Sequence, residues 1–199
     1  MNLLLDLGNS RIKWALAQGS NWLREGAAAG IDELDQAWSS LARPDRVFGC
    51  AVTSTQDQMA IAARVSSLWQ RNVAWLQPDS MAVGVRNSYQ FPQRLGPDRW
   101  AALIGARNHF PDTALVVVSA GTALVVDALD RQGVFLGGMI LPGYRLMKTA
   151  LAGNTARLPL TEGSFADFPT NTEDAIETGC LSALHGAITS MRARLQARC

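Results

Sequence analysis

The chain opens on an apolar run, Leu3, Leu4 and Leu5, that ends in Asp6 and leads into Leu7 and a Gly8-Asn9-Ser10 turn. Beyond the turn, Ile12, Trp14 and Leu16 alternate with Arg11, Lys13 and Ala15, the period of a strand with one buried face. Together they predict a β-hairpin over residues 3–16. Leu34, Ala37, Trp38 and Leu41 recur at helical spacing within 31–41. Residues 45–52 read as a short strand, 58–70 as a helix, and 73–76 as a strand closed by Pro78. This β/α alternation predicts a sheet covered by helices. Residues 84–99 are irregular and polar, with Arg86, Asn87, Tyr89, Gln93 and Arg94; after Gly96-Pro97-Asp98, a helical pattern runs through Trp100, Leu103, Ile104 and Arg107. Strands are predicted at 125–129 and 134–136 around an Asp-Arg-Gln-Gly turn, and Gly137-Gly138 and Pro142-Gly143 punctuate the next strand and turn. From residue 173 to about 199 the pattern is an amphipathic helix, with Ile176, Cys180, Leu184, Ile188, Met191 and Leu195 on one face.

The first hairpin has a second copy. Val116, Val117 and Val118 lead into Ser119, Ala120, Gly121 and Thr122 before a new strand, so Asp6 aligns with Ser119, Gly8 with Gly121 and Asn9 with Thr122. Alone, the first turn is an ordinary hairpin with Asn9 chosen for its conformation. Repetition predicts two half-domains facing each other across a cleft, each presenting a phosphate loop. The chemistry suits that use: closely spaced backbone N–H groups form an anion-binding concavity, and Lys13 adds a cation. Asp6, ending its strand, is placed to face a phosphate-bound Mg²⁺.

The totals narrow the class. The chain has 199 residues, 48% hydrophobic and 18% charged, ample for a packed core in one or two small domains. A formal net charge of +1 gives no electrostatic case for nucleic acid or an anionic membrane. No apolar run reaches the length of a membrane span and Asp6 interrupts the first one, so neither a span nor a signal peptide is predicted. Cys50, Cys180 and Cys199 are odd in number and lack metal-ligand spacing; they read as free thiols in a reducing cytoplasm. Trp22, Trp38, Trp69 and Trp75 read as packing, and His109, in a loop, and His185 as structural.

Asp6-Leu7-Gly8-Asn9-Ser10 together with Ala120-Gly121-Thr122-Ala123 resembles the paired phosphate motifs of the sugar-kinase, heat-shock-protein and actin superfamily. Three further stretches, Leu95-Gly96-Pro97-Asp98-Arg99-Trp100-Ala101-Ala102, Phe135-Leu136-Gly137-Gly138-Met139-Ile140-Leu141-Pro142-Gly143 and Asn171-Thr172-Glu173-Asp174-Ala175-Ile176, resemble the type III pantothenate kinases. Some members of that family are named as accessory factors of a virulence regulator. The resemblance runs in family order from Met1 to about the end of the chain. It implies an α/β, actin-like (ribonuclease H-like) fold of duplicated βαβ half-domains, here 1–112 and 113–199. It also implies a cytoplasmic homodimer, with the substrate pocket at the subunit interface, that phosphorylates pantothenate from ATP in the first step of coenzyme A synthesis. The implied ions are Mg²⁺ and a monovalent cation, K⁺ or NH₄⁺.

By the same resemblance Asp98 is the general base for the primary alcohol and Asp6 holds the Mg²⁺–phosphate. Leu7, Gly8, Asn9, Ser10, Arg11, Ile12, Lys13 and Thr122 would bind ATP. Tyr89, Gly96, Pro97, Arg99 and Thr172 would contact pantothenate, Arg99 gripping its carboxylate as a planar two-pronged cation. Read from the residues alone, Asp98 and Thr172 are equally helix N-caps, Tyr89 a half-buried loop aromatic and the glycines plain turn chemistry.

Two departures from the family stand out. Its second phosphate loop usually opens with an aspartate associated with a monovalent cation; here Ser119 brings a hydroxyl without charge, predicting weaker cation affinity, with Asp127 a candidate substitute. The family's chain also continues past the long helix, so the adenosine side of the cleft and part of the second sheet are expected to be missing. Two further readings are an inactive accessory or scaffold protein and a phosphatase of the same superfamily. The intact Gly96-Pro97-Asp98-Arg99 segment argues against the first; the second would present a water-positioning acid and no Asp-Arg-Trp segment of the pantothenate type, and fold-level analogy alone separates none of them.

Overall fold

The computed structural model describes residues 1–154, 160 and 162–198. In it the first alternating segment pairs as expected: β1 (Asn2–Leu7) and β2 (Ile12–Gln18) run antiparallel, with Leu5 opposite Trp14 and Asp6 opposite Lys13. Leu3, Leu5 and Leu7 are buried on one face, each worth about 1.5–3 kcal/mol when removed from water. β3 (Asn21–Ala28) continues the meander on β2. The sequence pattern gives no sign of it, because an edge strand exposed along most of its length has no apolar alternation to show. β4 (Arg46–Ala51) and β5 (Val73–Trp75) add in parallel beyond β1, giving the order β3-β2-β1-β4-β5.

Two helices cover the face that Leu3, Leu5 and Leu7 present. From α1 (Ile31–Trp38) come Leu34 and Trp38, and from α2 (Thr55–Trp69) come Ile61, Val65 and Trp69. The rings of Trp38 and Trp69 meet with centroids 5.3 Å apart, the packing role expected of them. α2 starts ahead of the predicted position 58 because the Ser54 hydroxyl accepts the Asp57 N–H at 3.2 Å, a cap that fixes the first turn.

These elements belong to a first compact unit, Met1–Pro78 with Gln93–Ala101; a second comprises Asp79–Pro92 with Ala102–Cys199. α3 (Pro97–His109) gives its first turn to one and the rest to the other, and its last residue is His109, which is therefore helical and not in a loop.

In the second unit β8 (Leu115–Ala120), β9 (Ala123–Leu129) and β10 (Val134–Pro142) form a meander that repeats β1, β2 and β3, with a glycine turn after the first strand in both. β10 outruns the predicted 134–136 by passing a bulge between Phe135 and Gly137. Part of the segment read as irregular is a short strand, β7 (Val85–Asn87), parallel to β10, with β6 (Met81–Ala82) beyond it. The order is β6-β7-β10-β9-β8, leaving β8 as an edge strand among the described residues. The fold is α/β and actin-like: two mixed five-stranded sheets in which the hairpin meander is the duplicated part. α4 (Tyr144–Asn154) is a helix that the apolar pattern does not announce. α5 (Thr172–Arg198) packs Met191 and Leu195 on Leu124, Val126 and Ala128. Of its predicted stripe Cys180 is buried and Leu184 and Ile188 are partly so, but a charged residue, Glu177, is buried as well. Cys199 lies outside the described residues.

Candidate active site

Side chains alternate across a strand, so with Leu3, Leu5 and Leu7 facing the helices, Leu4 and Asp6 face the other way. Registers across β2, β1 and β4 then set Lys13, Asp6 and Cys50 abreast on that open face. Lys13 Nζ lies 3.3 Å from Asp6 Oδ2, and the Cys50 thiol donates towards Oδ1 at 3.6 Å. A cation holds one carboxylate oxygen and a weak donor the other. Burial first, then the charge and hydrogen bond of Asp6, then the charge of Asp98 push the Cys50 thiol up to about 12. Cys50 therefore stays a protonated donor at neutral pH. One rung down lies an apolar shelf of Leu4, Ala15, Phe48 and Ala74. A cavity of about 840 Å³ over this face, also lined by Arg11, Trp22 and Trp75, has the size of a small-molecule site. Sequence reasoning missed Cys50, since nothing local in 45–52 reveals which β1 residue it will stand beside.

In the β1–β2 turn the Gly8 N–H donates to the Arg11 carbonyl at 3.1 Å, while Asn9, Ser10 and Arg11 are exposed. Leu7 is buried and Ile12 packs against the same core, so these two positions have only backbone to offer a ligand.

Gly96, not Asp98, occupies the cap position of α3. The Trp100 N–H donates to the Gly96 carbonyl at 3.0 Å, with Pro97 as the first helical residue, where its missing N–H is no loss. The N-cap reading of Asp98 is thereby corrected: it sits inside the first turn and its carboxylate folds back over Gly96, where an added Cβ would stand 2.5 Å from Oδ1. Among the described residues the Asp98 carboxylate has no hydrogen bond or ion pair. Arg99, beside it, is 6% exposed. Asp6, the turn, Lys13, Gly96, Pro97, Asp98 and Arg99 thus all fall within the first unit.

The remaining candidates belong to the second unit. In the β8–β9 turn the Gly121 N–H donates to the Ala123 carbonyl at 3.0 Å, and the exposed Thr122 accepts the Gly143 N–H at 2.8 Å. Ser119 is exposed near the end of β8 opposite Val125; Asp127, two positions along β9 and 2% exposed, shares its sheet face. Tyr89 is half-buried, its N–H donating to Asn87 Oδ1 at 3.0 Å and its ring 5.6 Å from Phe135. Thr172 is exposed at the start of α5, whose cap is Asn171: its Oδ1 accepts the Asp174 N–H at 2.8 Å. The N-cap reading of Thr172 is corrected accordingly.

Among the described residues no three His, Cys, Asp or Glu side chains gather into a metal cage. A lone partly exposed carboxylate at a strand end, Asp6, is instead the donor set Mg²⁺ uses when phosphates and water complete its shell. Among the described residues no helix is long and apolar enough to cross a membrane.

Residues 2–194 match the family described as type III pantothenate kinase. The chain is 46% identical to the type III pantothenate kinase of Laribacter hongkongensis, over 98% of this chain and 80% of that one. It is 44% identical to the type III pantothenate kinase of Methylibium petroleiphilum, over 99% and 82% respectively. Among solved structures, a Baf-family protein of Campylobacter jejuni shares the fold, with a TM-score of 0.61 at 24% identity over 94% of this chain and 78% of that one.

Proposed function

The chain belongs to the type III pantothenate kinase family, and we propose that it transfers the γ-phosphoryl group of ATP to the primary hydroxyl of pantothenate, the first step of coenzyme A synthesis. The observation that carries the assignment of roles is geometric. Asp6 stands at the end of β1 with Lys13 and Cys50 on its two oxygens, beside the exposed turn, while Asp98, in the same unit, is a carboxylate without a hydrogen-bond or ion-pair partner among the described residues.

Phosphoryl transfer leaves a protein little covalent chemistry to do; positioning and charge neutralisation dominate. Asp98 would accept the proton of the attacking alcohol, for which an uncommitted carboxylate is suited. N–H groups of the turn after β1 would receive phosphate oxygens. Lys13 would pass from Asp6 to a phosphate, an inexpensive exchange because so exposed a pair is worth only about 0–1 kcal/mol. Mg²⁺, when bound at Asp6, would neutralise charge on the phosphates. Thr122 would add a hydroxyl to the nucleotide phosphates. Arg99 would pair with the pantothenate carboxylate, with Gly96, Pro97, Tyr89 and Thr172 as further substrate contacts. For K⁺ or NH₄⁺, Ser119 would offer a neutral oxygen ligand, with Asp127 on the same face. The working form proposed is a cytoplasmic homodimer. No observation favours an inactive scaffold.

The test is ATP turnover with and without pantothenate, in K⁺ and then Na⁺, beside Asp98→Asn. Turnover should require pantothenate and fall by roughly 10²–10⁴ in a variant that remains folded. A folded wild-type protein without pantothenate-dependent turnover would refute the assignment.

A further inference from the structure

Tyr144 and Lys148 stand one turn apart on α4, and Glu177 faces them from α5. Lys148 Nζ donates to Glu177 Oε2 at 2.9 Å and to the Tyr144 hydroxyl at 3.1 Å; that hydroxyl in turn donates to the same Oε2. The ammonium also lies 5.1 Å from the centre of the Tyr144 ring. Lys148 is 8% and Glu177 9% exposed. The Tyr144 hydroxyl, and then Lys148, hold the Glu177 carboxyl below its ordinary range, while Glu177 holds Lys148 and Tyr144 above theirs. At neutral pH the three are a carboxylate, an ammonium and a phenol, each held in its ordinary protonation state by the other two. This is a tie between two helices rather than a second reaction centre.

Burying an ion pair is a poor route to stability, because desolvation offsets the attraction and apolar replacements often serve as well. What a satisfied buried network supplies is one fixed geometry. Here that geometry is connected to the nucleotide side. α4 begins directly after Gly143, whose N–H is bonded to the Thr122 carbonyl at 2.8 Å. An added Cβ on Gly143 would stand 2.1 Å from the Gly121 oxygen and 2.6 Å from that of Thr122. Backbone lies on backbone there, so α4 cannot roll or slide without displacing the β8–β9 turn. Along α5, Thr172 lies little more than a turn before Glu177.

We propose that Tyr144, Lys148 and Glu177 are positioning residues: a brace that fixes the Gly121-Thr122 turn, through α4, against the start of α5 and so sets how tightly the nucleotide is held. The proposal rests on the reading of Thr122 as a phosphate contact. None of the three needs to touch a substrate.

The test compares Glu177→Gln and Lys148→Met with wild type in three readouts: KM for ATP against kcat, amide hydrogen exchange at Gly143, and the melting temperature. In each, KM for ATP should rise and Gly143 exchange should quicken, both about tenfold, with kcat held within about twofold. Melting that falls while KM and Gly143 exchange stay at wild-type values would overturn the brace, since that is what a merely structural tie predicts. Where a single variant does not fold, the double variant Lys148→Met/Glu177→Leu takes its place, its buried charges exchanged for apolar groups. Wild-type KM and exchange in that folded double variant would overturn the proposal equally. Thr122→Val separates the two claims. An unchanged KM for ATP there overturns the phosphate reading of Thr122, and the brace is then decided by Gly143 exchange alone.

Discussion

Asp98 folds back over Gly96, and a Cβ at position 96 would stand 2.5 Å from its Oδ1, well inside contact distance. The carboxylate occupies the space a side chain on residue 96 would need. A glycine two residues before the proposed base is thus a steric condition on where that base can lie.

Gly96→Ala should therefore act on chemistry before stability. The methyl group displaces the Asp98 carboxylate, and a misplacement of about 1 Å in a reacting group costs roughly 10–100-fold in kcat. The cap position tolerates alanine with a loss of about 1 kcal/mol. Steady-state kinetics beside a thermal melt checks this, and a wild-type kcat would show that Gly96 does not set the position of Asp98.

Gly143→Ala meets a harder obstacle. Its methyl group would run into two backbone oxygens, those of Gly121 and Thr122, at 2.1 and 2.6 Å. Neither can swing aside as a side-chain end would, so the turn or the start of α4 must move. A destabilisation of about 2–4 kcal/mol is expected from a strained backbone of this kind, together with a raised KM for ATP. Denaturant unfolding and kinetics on the same sample measure both; unaltered unfolding would contradict the close approach.

Lys13→Met should give the opposite split. The Lys13–Asp6 pair is open to solvent, with side-chain exposures of 66% and 39%, so its loss should alter stability by less than about 1 kcal/mol. Losing a charge-assisted contact to phosphate should nonetheless raise KM for ATP about tenfold or more. An unchanged KM, with ATP titrated over two decades, would remove Lys13 from the phosphate site.

Cys50 offers a pH-dependent check on the rung it shares with Asp6. Its thiol is pushed from an ordinary 9.0 up to about 12, first by burial and then by Asp6. The folded chain keeps this proton to higher pH than the unfolded chain does, so the stability it lends is full below pH 9.0 and drains away as pH climbs towards about 12. Because the thiolate is the reactive form, alkylation of Cys50 in the folded protein should be far slower at pH 8 than in the unfolded chain. Asp6→Asn, which removes the charge and the carboxylate acceptor, should speed it. Peptide-level labelling rates decide the matter; folded Cys50 reacting as fast as an unfolded thiol would show that the rung is not as described.

Much of the candidate site is legible without coordinates because its requirements are local. Asp6-Leu7-Gly8-Asn9 and Ser119-Ala120-Gly121-Thr122 each pack a strand end and a tight turn into a few residues, and both hairpins form where the pattern puts them. Gly96-Pro97-Asp98 announces a helix start in the same way. Which residue of it serves as cap was not legible: Asp98 and Asn171-Thr172 fitted the cap preference by type, while the first hydrogen bonds of the two helices, accepted by the carbonyls of Gly96 and Asn171, gave the positions to those residues.

By itself the sequence determined the α/β class, the duplicated hairpin, the covering helices of the first sheet and the family. All of these are written in period, turn residues and short motifs, which act over a handful of positions. Tertiary structure alone decided what lies beside what. Cys50 meets Asp6 across 44 residues because a parallel register sets it there. Lys148 meets Glu177 across 29 because two helices bury their charges against each other. The edge strand β3 is in place because the β2 ladder accepts a neighbour with no apolar signal of its own. Register and buried pairing are free energies of contact between distant segments. Each depends on the partner that folding brings alongside, and no local pattern carries that partner's identity.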